Sequence, residues 1–142
     1  PPMTDLIERL EKEGGSRELD AEVFAATSAD HTTYWSLKRY QTGHEEFLRG
    51  CKRDGLVVGP TGCGTIGSVR TPNLTTSLDA AIALCERVLP DPFWGLHTNR
   101  VVANVYHADV GTRQPHRTWL GSADIPATAL CIALLRALED GK

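Results

Sequence analysis

The sequence PATALCIALLRA at residues 126–137 decides the fold class. Its proline suits the first turn of a helix, where no intrahelical amide hydrogen bond is lost. The apolar side chains that follow recur every three or four residues and predict one buried stripe. The stripe comprises Leu130, Cys131, Leu134, Leu135 and Leu138. A helix of this kind must bury its stripe against a second layer of structure, which the rest of the chain has to supply.

A second helix is predicted at residues 77–89. Thr76 and Asp79 stand at the spacing of a capping box, and Pro90 ends the pattern. Its apolar positions are Leu78, Ile82, Cys85 and Leu89. Their three-to-four-residue spacing predicts that this helix also packs through one face.

The first 26 residues predict a helical hairpin. Residues 4–10 have helical spacing and end at Gly14-Gly15. Ser16 is the expected N-cap of the next helix. Leu19, Val23 and Ala26 share one face of that helix.

The remaining segments predict strands and loops. Residues 32–40 have strand composition, and the glycine-rich residues 51–73 predict loops with one or two short strands. A β-hairpin is predicted from residues 93–98 and 100–108 around Thr98-Asn99. Residues 114–117 are predicted to form a polar loop, with a short pairing at 119–120.

These elements predict an α+β fold in one domain spanning residues 1–142. The expected architecture is an α/β/α sandwich, in which helices cover both faces of a small, largely antiparallel sheet. The antiparallel prediction follows from the tight hairpin, because a parallel pair would need a crossover helix.

Composition restricts the class of protein. The net charge of −3 does not favour binding to duplex nucleic acid, which calls for a basic surface. No apolar run reaches the length of a bilayer span and no leader pattern opens the chain, so a cytoplasmic location without membrane association is expected. Pro1 and Pro2 are interpreted as additions for expression ahead of a natural start at Met3.

Four stretches carry a resemblance to a known family. They are TTSLDAAIAL at 75–84, PATALCIALLRA at 126–137, MTDLIERL at 3–10 and RELDA at 17–21. They resemble the phage ABA sandwich domain family. The resemblance implies a phage or prophage accessory protein with helices on both sides of a sheet. It implies no established activity and no functional residues, since the matching positions are mainly caps and apolar helix faces.

Catalytic and metal motifs are weak. The glycine-rich residues 59–64 follow an apolar run like a phosphate-binding loop, but Thr65 stands where the lysine belongs. Cysteines and histidines lack the close paired spacing of a metal site, so neither a metal nor another cofactor is expected. Cys85 and Cys131 are predicted to be buried reduced thiols. Cys51 and Cys63 are the candidate reactive thiols of an alternative Cys/His hydrolase.

Aromatic and basic side chains form the candidate ligand-binding set. Planar aromatic rings can stack on a base and arginine can bind phosphate, so their convergence would suit a nucleotide-like ligand. The predicted site residues are Trp94, His97, Arg100, Tyr106, Arg113, His116, Arg117, Trp119 and Arg70.

The function that follows is non-catalytic binding of a small nucleotide-derived host immune signal by a phage-encoded, sponge-like anti-defence protein. A protein–protein adaptor that inhibits a host factor is the first alternative, and the Cys/His hydrolase is the second. A homodimer or higher homo-oligomer is also predicted, because the edges of a small sheet can recruit a partner.

Overall fold

The computed structural model describes residues 2–27, 53–60, 66–98, 105–113 and 116–140. The predicted strand at residues 32–40 lies outside these ranges. The chain divides into two compact units, a sheet unit formed by Pro1–Ser16 with Asn73–Lys142 and a hairpin unit formed by Arg17–Pro72. The prediction of a single domain over residues 1–142 stays a prediction.

Four helices and five strands occupy the described ranges. The helices are α1 (Pro2–Glu13), α2 (Arg17–Thr27), α3 (Leu78–Val88) and α4 (Pro126–Asp140). The strands are β1 (Leu56–Pro60), β2 (Ile66–Arg70), β3 (Pro92–Thr98), β4 (Tyr106–Arg113) and β5 (His116–Ala123). All four predicted helices are present, and α4 begins at the expected proline.

The hairpin unit contains α2 and the antiparallel pair β1–β2, which confirms short strands in the glycine-rich segment. Arg17 joins these elements. Its Nη1 donates to the buried Asp20 Oδ2 at 2.6 Å, and its Nη2 donates to the Thr71 carbonyl at 2.7 Å. Gly55, just before β1, has a φ of +76° and faces the guanidinium so closely that a Cβ there would collide with it. Glycine is therefore required at this turn.

The sheet unit is built on a three-stranded antiparallel sheet in the order β3–β4–β5. The predicted turn at Thr98-Asn99 is wrong, because Thr98 belongs to β3 and pairs with Tyr106. A two-residue turn needs positive φ at its centre, and a β-branched threonine opposes that geometry. Strand β4 instead starts at Tyr106 and continues to Arg113.

Strand β5 begins at His116 and so replaces the second half of the predicted polar loop at residues 114–117. Arg113 pairs with His116, so only residues 114 and 115 connect β4 to β5. The short pairing predicted at residues 119–120 is part of this eight-residue strand.

Helix α4 lies against one face of the sheet and forms the centre of the core. Its buried surface is wider than the predicted stripe and extends from Ala127 to Leu135 without interruption, whereas Leu138 is half-buried. Strand β5 approaches the helix at Gly121, where a Cβ would lie 2.7 Å from the Ala133 amide nitrogen. The absence of a side chain lets the two backbones meet. With helices packed on a small antiparallel sheet, the α+β fold class is confirmed. Coverage of the second face of the sheet by helices stays a prediction.

Helices α1 and α3 pack against α4. The buried side chains of α3 are Ala81, Leu84 and Cys85, while the predicted Leu78 and Ile82 are half-buried. The N-cap is also one residue later than predicted: Ser77, rather than Thr76, accepts the Ala80 amide hydrogen through its hydroxyl oxygen at 3.4 Å. The face of α3 is rotated because α3 packs mainly on a second helix rather than on the sheet.

In the part of the chain that the structure describes, no helix has the length and apolar character needed to cross a lipid bilayer.

Candidate ligand-binding site

The two faces of the sheet have different environments. Trp94, Val110 and Trp119 are paired across the three strands and belong to the face that α4 covers. The residues that alternate with these along each strand point to the opposite surface, called here the open face. The open face carries Phe93, Gly95, His97, His107, Asp109, Gly111, Arg113, His116, Thr118, Leu120 and Ser122. Leu120 is 60% exposed there.

A depression of about 360 Å³ lies where β3 begins, at one corner of the sheet. Its lining residues are Glu86, Pro92, Phe93, Trp94 and Arg113. This set is called the β3 corner below. It combines two large aromatic side chains, one cation and one carboxylate around an open surface. Trp94 is 39% exposed, which is unusual for so large an apolar side chain and makes its ring available to a ligand.

The short connection between α3 and β3 assembles the β3 corner. Only residues 89–91 separate the helix from the strand, so Glu86 in the last helical turn lies beside the start of β3. Asp91 has a φ of +42°, a left-handed conformation that aspartate tolerates better than most residues. Pro92 then fixes the backbone at the beginning of the strand.

Phe93 forms an aromatic wall on the open-face side of the corner. Its ring is parallel to that of His116, with an interplanar angle of 7° and 5.6 Å between centroids. Gly111 is directly opposite Phe93 on β4, and a Cβ at this glycine would lie 2.8 Å from Phe93 Cε2. A larger residue would push the ring off the strand, so this glycine provides the space in which the aromatic wall lies.

Arg113 is the cation of the β3 corner. Its Nη1 donates to Asp91 Oδ1 at 2.8 Å, and the two side chains are 59% and 60% exposed. An ion pair this exposed is worth about 0.2–1 kcal/mol, whereas a charge-assisted hydrogen bond to a ligand is worth about 1.5–3 kcal/mol. A ligand phosphate can therefore compete with Asp91 for this guanidinium.

Arg117 and Trp119 form a separate cluster beside the end of α4. Arg117 Nη2 and Trp119 Nε1 both donate to Asp140 Oδ2, at 2.8 and 3.0 Å. The guanidinium carbon also lies 5.0 Å from the centroid of the Trp119 ring, a cation–π distance. These contacts join β5 to the end of α4, so both predicted ligand residues already have a structural role.

The structure thus brings three of the predicted site residues to one corner of the sheet. Trp94 and Arg113 line the β3 corner, and His116 stacks on its Phe93 wall. His97 is on the open face near the other end of β3, Tyr106 begins β4, and Arg70 is an exposed residue of the hairpin unit. Arg100 lies outside the described residues.

Sequence reasoning missed Glu86, Asp91, Pro92 and Phe93. The sequence predicts Phe93 as a strand residue without a role in binding. The signal for the other three was the short interval between the end of one helix at Pro90 and the next strand. A connection of that length forces the two element ends together.

The two described cysteines are buried and reduced, as predicted. Burial, assisted by the nearby charge of Glu86, raises the pKa of the Cys85 thiol to about 12. Cys131 Sγ donates to the Leu74 carbonyl at 3.1 Å. With so high a pKa, the Cys85 thiol is a poor nucleophile at neutral pH. Cys51 and Cys63, the thiols of the hydrolase alternative, lie outside the described ranges.

Comparison with protein-family models, with curated proteins and with solved structures gave no significant match to the chain.

Proposed function

We propose that this protein is a non-catalytic binding protein whose β3 corner takes one nucleobase-bearing unit of a small nucleotide-type ligand. The observation that carries the proposal is the convergence of Phe93, Trp94 and Arg113 around one depression. The Phe93 ring, which shares the open face with Arg113, supplies a stacking surface for a base, the exposed part of Trp94 borders the depression from the other face, and the guanidinium supplies a donor for a phosphate.

The size of the depression limits the ligand. Its volume of about 360 Å³ is at the lower end of the about 300–1,000 Å³ found for small-molecule sites. One nucleoside monophosphate matches this space, while a larger cyclic nucleotide would place a single unit in it. At about −0.3 kcal/mol per non-hydrogen atom, a mononucleotide of about 23 such atoms has a binding free energy of about −7 kcal/mol. This corresponds to a Kd on the order of 10 µM.

Charge limits the ligand further. Among the described residues that line the β3 corner, Arg113 carries a positive charge and Glu86 a negative one. The carboxylate can accept hydrogen bonds from a base amino group or from ribose hydroxyls, but it repels a dense anion. The arrangement therefore favours a monophosphate over a triphosphate.

The test is a calorimetric titration of the full chain with adenosine, AMP and ATP. We expect AMP to bind most tightly. Arg113→Gln should weaken AMP binding about ten-fold or more with little change for adenosine, since each charged hydrogen bond is worth about 1.5–3 kcal/mol. Trp94→Ala should weaken both. Arg9→Gln is the matched control, because it removes the same charge from a surface pair with Glu13 on α1.

Two outcomes would overturn the proposal. Equal AMP affinity in the parent, Arg113→Gln and Trp94→Ala would place binding elsewhere, and no binding of any purine or pyrimidine mononucleotide would remove the ligand class. Mass spectrometry of the recovered ligand distinguishes binding from turnover, because a binding protein returns it unchanged. A changed mass would favour the hydrolase alternative.

The biological setting of this proposal is sequestration of a nucleotide-derived host signal in the cytoplasm by a phage-encoded protein. Its support is the sequence resemblance to phage ABA sandwich domains together with the chemistry of the β3 corner. The adaptor alternative predicts instead that a host protein copurifies with the chain while mononucleotides do not bind.

The same proposal includes a two-fold homodimer. Its support is that β3 and β5 are the outer strands of the sheet among the described residues, and outer strands have backbone groups that can recruit a second copy. Light scattering at micromolar concentration should give twice the mass of the chain, and a strictly monomeric mass would contradict it.

A further inference from the structure

A pair of histidines occupies the open face, at the end of β3 away from the β3 corner. His97 on β3 is directly opposite His107 on β4, and their ring centroids are 5.4 Å apart with an interplanar angle of 26°. His97 is exposed and His107 is half-buried. The chain thus holds two imidazoles together on paired strands rather than on one flexible loop.

A third residue fixes the orientation of one ring. Ser122 is opposite His107 on β5, and its Oγ lies 2.7 Å from His107 Nδ1. When Nδ1 donates its proton to this hydroxyl, the Nε2 lone pair is free to bind a ligand. A hydrogen bond of this kind to the second ring nitrogen is the usual support of a metal-binding histidine.

We propose that His97 and His107 form a two-imidazole site for a borderline divalent transition metal such as Cu²⁺, Ni²⁺ or Zn²⁺, with Ser122 positioning His107. Imidazole suits this class of cation better than Mg²⁺ or Ca²⁺, which prefer oxygen ligands. The Irving–Williams order puts Cu²⁺ first among these metals. The site is independent of ligand binding at the β3 corner.

The ring separation matches the size of such a chelate. With metal–nitrogen distances of about 2.0–2.1 Å, each ring centroid lies about 3.2 Å from the metal, so two ligands have centroids about 5.2 Å apart at a tetrahedral angle and about 4.5 Å apart at the 90° angle of a tetragonal Cu²⁺ site. The observed 5.4 Å is close to the first value and needs a closure of about 1 Å to reach the second. The exposed His97 ring must turn about χ2 to aim its lone pair, a rotation that is broad and inexpensive for histidine.

A nearby carboxylate increases the attraction for a cation. Asp109 is the next open-face residue of β4 after His107, and it is paired with Gly95. Because the glycine has no side chain, Asp109 Oδ2 lies over β3, 3.9 Å from where a Cβ of Gly95 would be. No cluster of three or more His, Cys, Asp or Glu ligands occurs among the described residues, so the proposal assigns two protein ligands to the metal. Such a site is expected to bind metal with modest affinity.

The test uses CuCl₂ with the dialysed full chain and electron paramagnetic resonance. We expect one equivalent of Cu²⁺ to show hyperfine coupling to two imidazole nitrogens. His97→Gln and His107→Gln should each leave coupling to one nitrogen and weaken binding ten-fold or more. Thr118→Gln is the control, because it alters an exposed open-face residue on β5 without removing a ligand.

Ser122 provides the test of positioning. Ser122→Ala should weaken Cu²⁺ binding about ten-fold while the coupling to two nitrogens remains, and Ser122→Thr should restore the affinity because it keeps the hydroxyl. Circular dichroism and the Tm without metal check that every variant is folded. The proposal is overturned if the parent shows fewer than two coordinated nitrogens, or if both histidine variants bind Cu²⁺ as the parent does.

Discussion

Replacing Leu134 with alanine tests the packing of α4 most directly. Leu134 is 0% exposed on the helix that contacts α1, α3 and the sheet. The substitution removes three buried carbon groups, and at about 0.8 kcal/mol each the lost transfer free energy is about 2.4 kcal/mol. It also leaves a cavity of up to about 80 Å³, which adds up to about 2 kcal/mol at about 24 cal/mol per Å³. We therefore expect the free energy of unfolding to fall by about 2.5–4.5 kcal/mol.

The assay is urea unfolding at 25 °C, followed by far-ultraviolet circular dichroism. Leu138→Ala is the matched control, because it is the same chemical change one helical turn later on the same helix. Leu138 is only half-buried, so its replacement should cost about 1 kcal/mol. A loss below about 0.5 kcal/mol for Leu134→Ala is the level of a surface site and would show that Leu134 is not buried between α4 and the rest of the core. Equal losses for the two variants would contradict the difference in burial.

Three further predictions concern other parts of the chain. Gly121→Ala should lower the free energy of unfolding by about 1–3 kcal/mol, because the new Cβ meets the α4 backbone, whereas Gly95→Ala should change it little in the same urea assay. Arg17→Met should cost about 3 kcal/mol by leaving the buried Asp20 carboxylate without its guanidinium partner, and the double replacement with Asp20→Leu should recover part of that loss. Cys85 should resist iodoacetamide at pH 8 in the folded chain and react in urea, as peptide mass mapping would show. Because burial raises its pKa from 9.0 to about 12, the unfolded chain ionises first and stability should fall as the pH rises above about 9. Rapid labelling of folded Cys85 would contradict that burial.

Part of the candidate site could be predicted from the sequence. Trp94, Arg113 and His116 were selected by residue type, since stacking surfaces and phosphate donors have recognisable side chains. Residue type could not show that Arg117 is engaged by Asp140, because this contact joins positions 23 residues apart through the packing of α4 on β5. The set was therefore broader than the corner that the structure assembles.

The histidine pair shows why strand register could not be predicted. The expected turn at Thr98-Asn99 would put His97 opposite Arg100. The observed register puts it opposite His107, which is seven positions further along the chain. Because the register differs by an odd number of residues, the side chains of one strand also move to the opposite face relative to those of its partner strand. Nothing in the local sequence indicates that two histidines ten residues apart face each other across two strands.

What the sequence by itself determined is the set of helices and the antiparallel character of the sheet. Helix periodicity, caps and proline or glycine stops act over a few residues, so they located all four described helices, while the predicted hairpin indicated an antiparallel sheet although its turn was misplaced. The tertiary structure decided which faces are buried, which strands pair and where Phe93, Trp94 and Arg113 meet. These features depend on contacts between distant segments, and the free energy of such contacts comes from excluding water and matching shapes across the whole core.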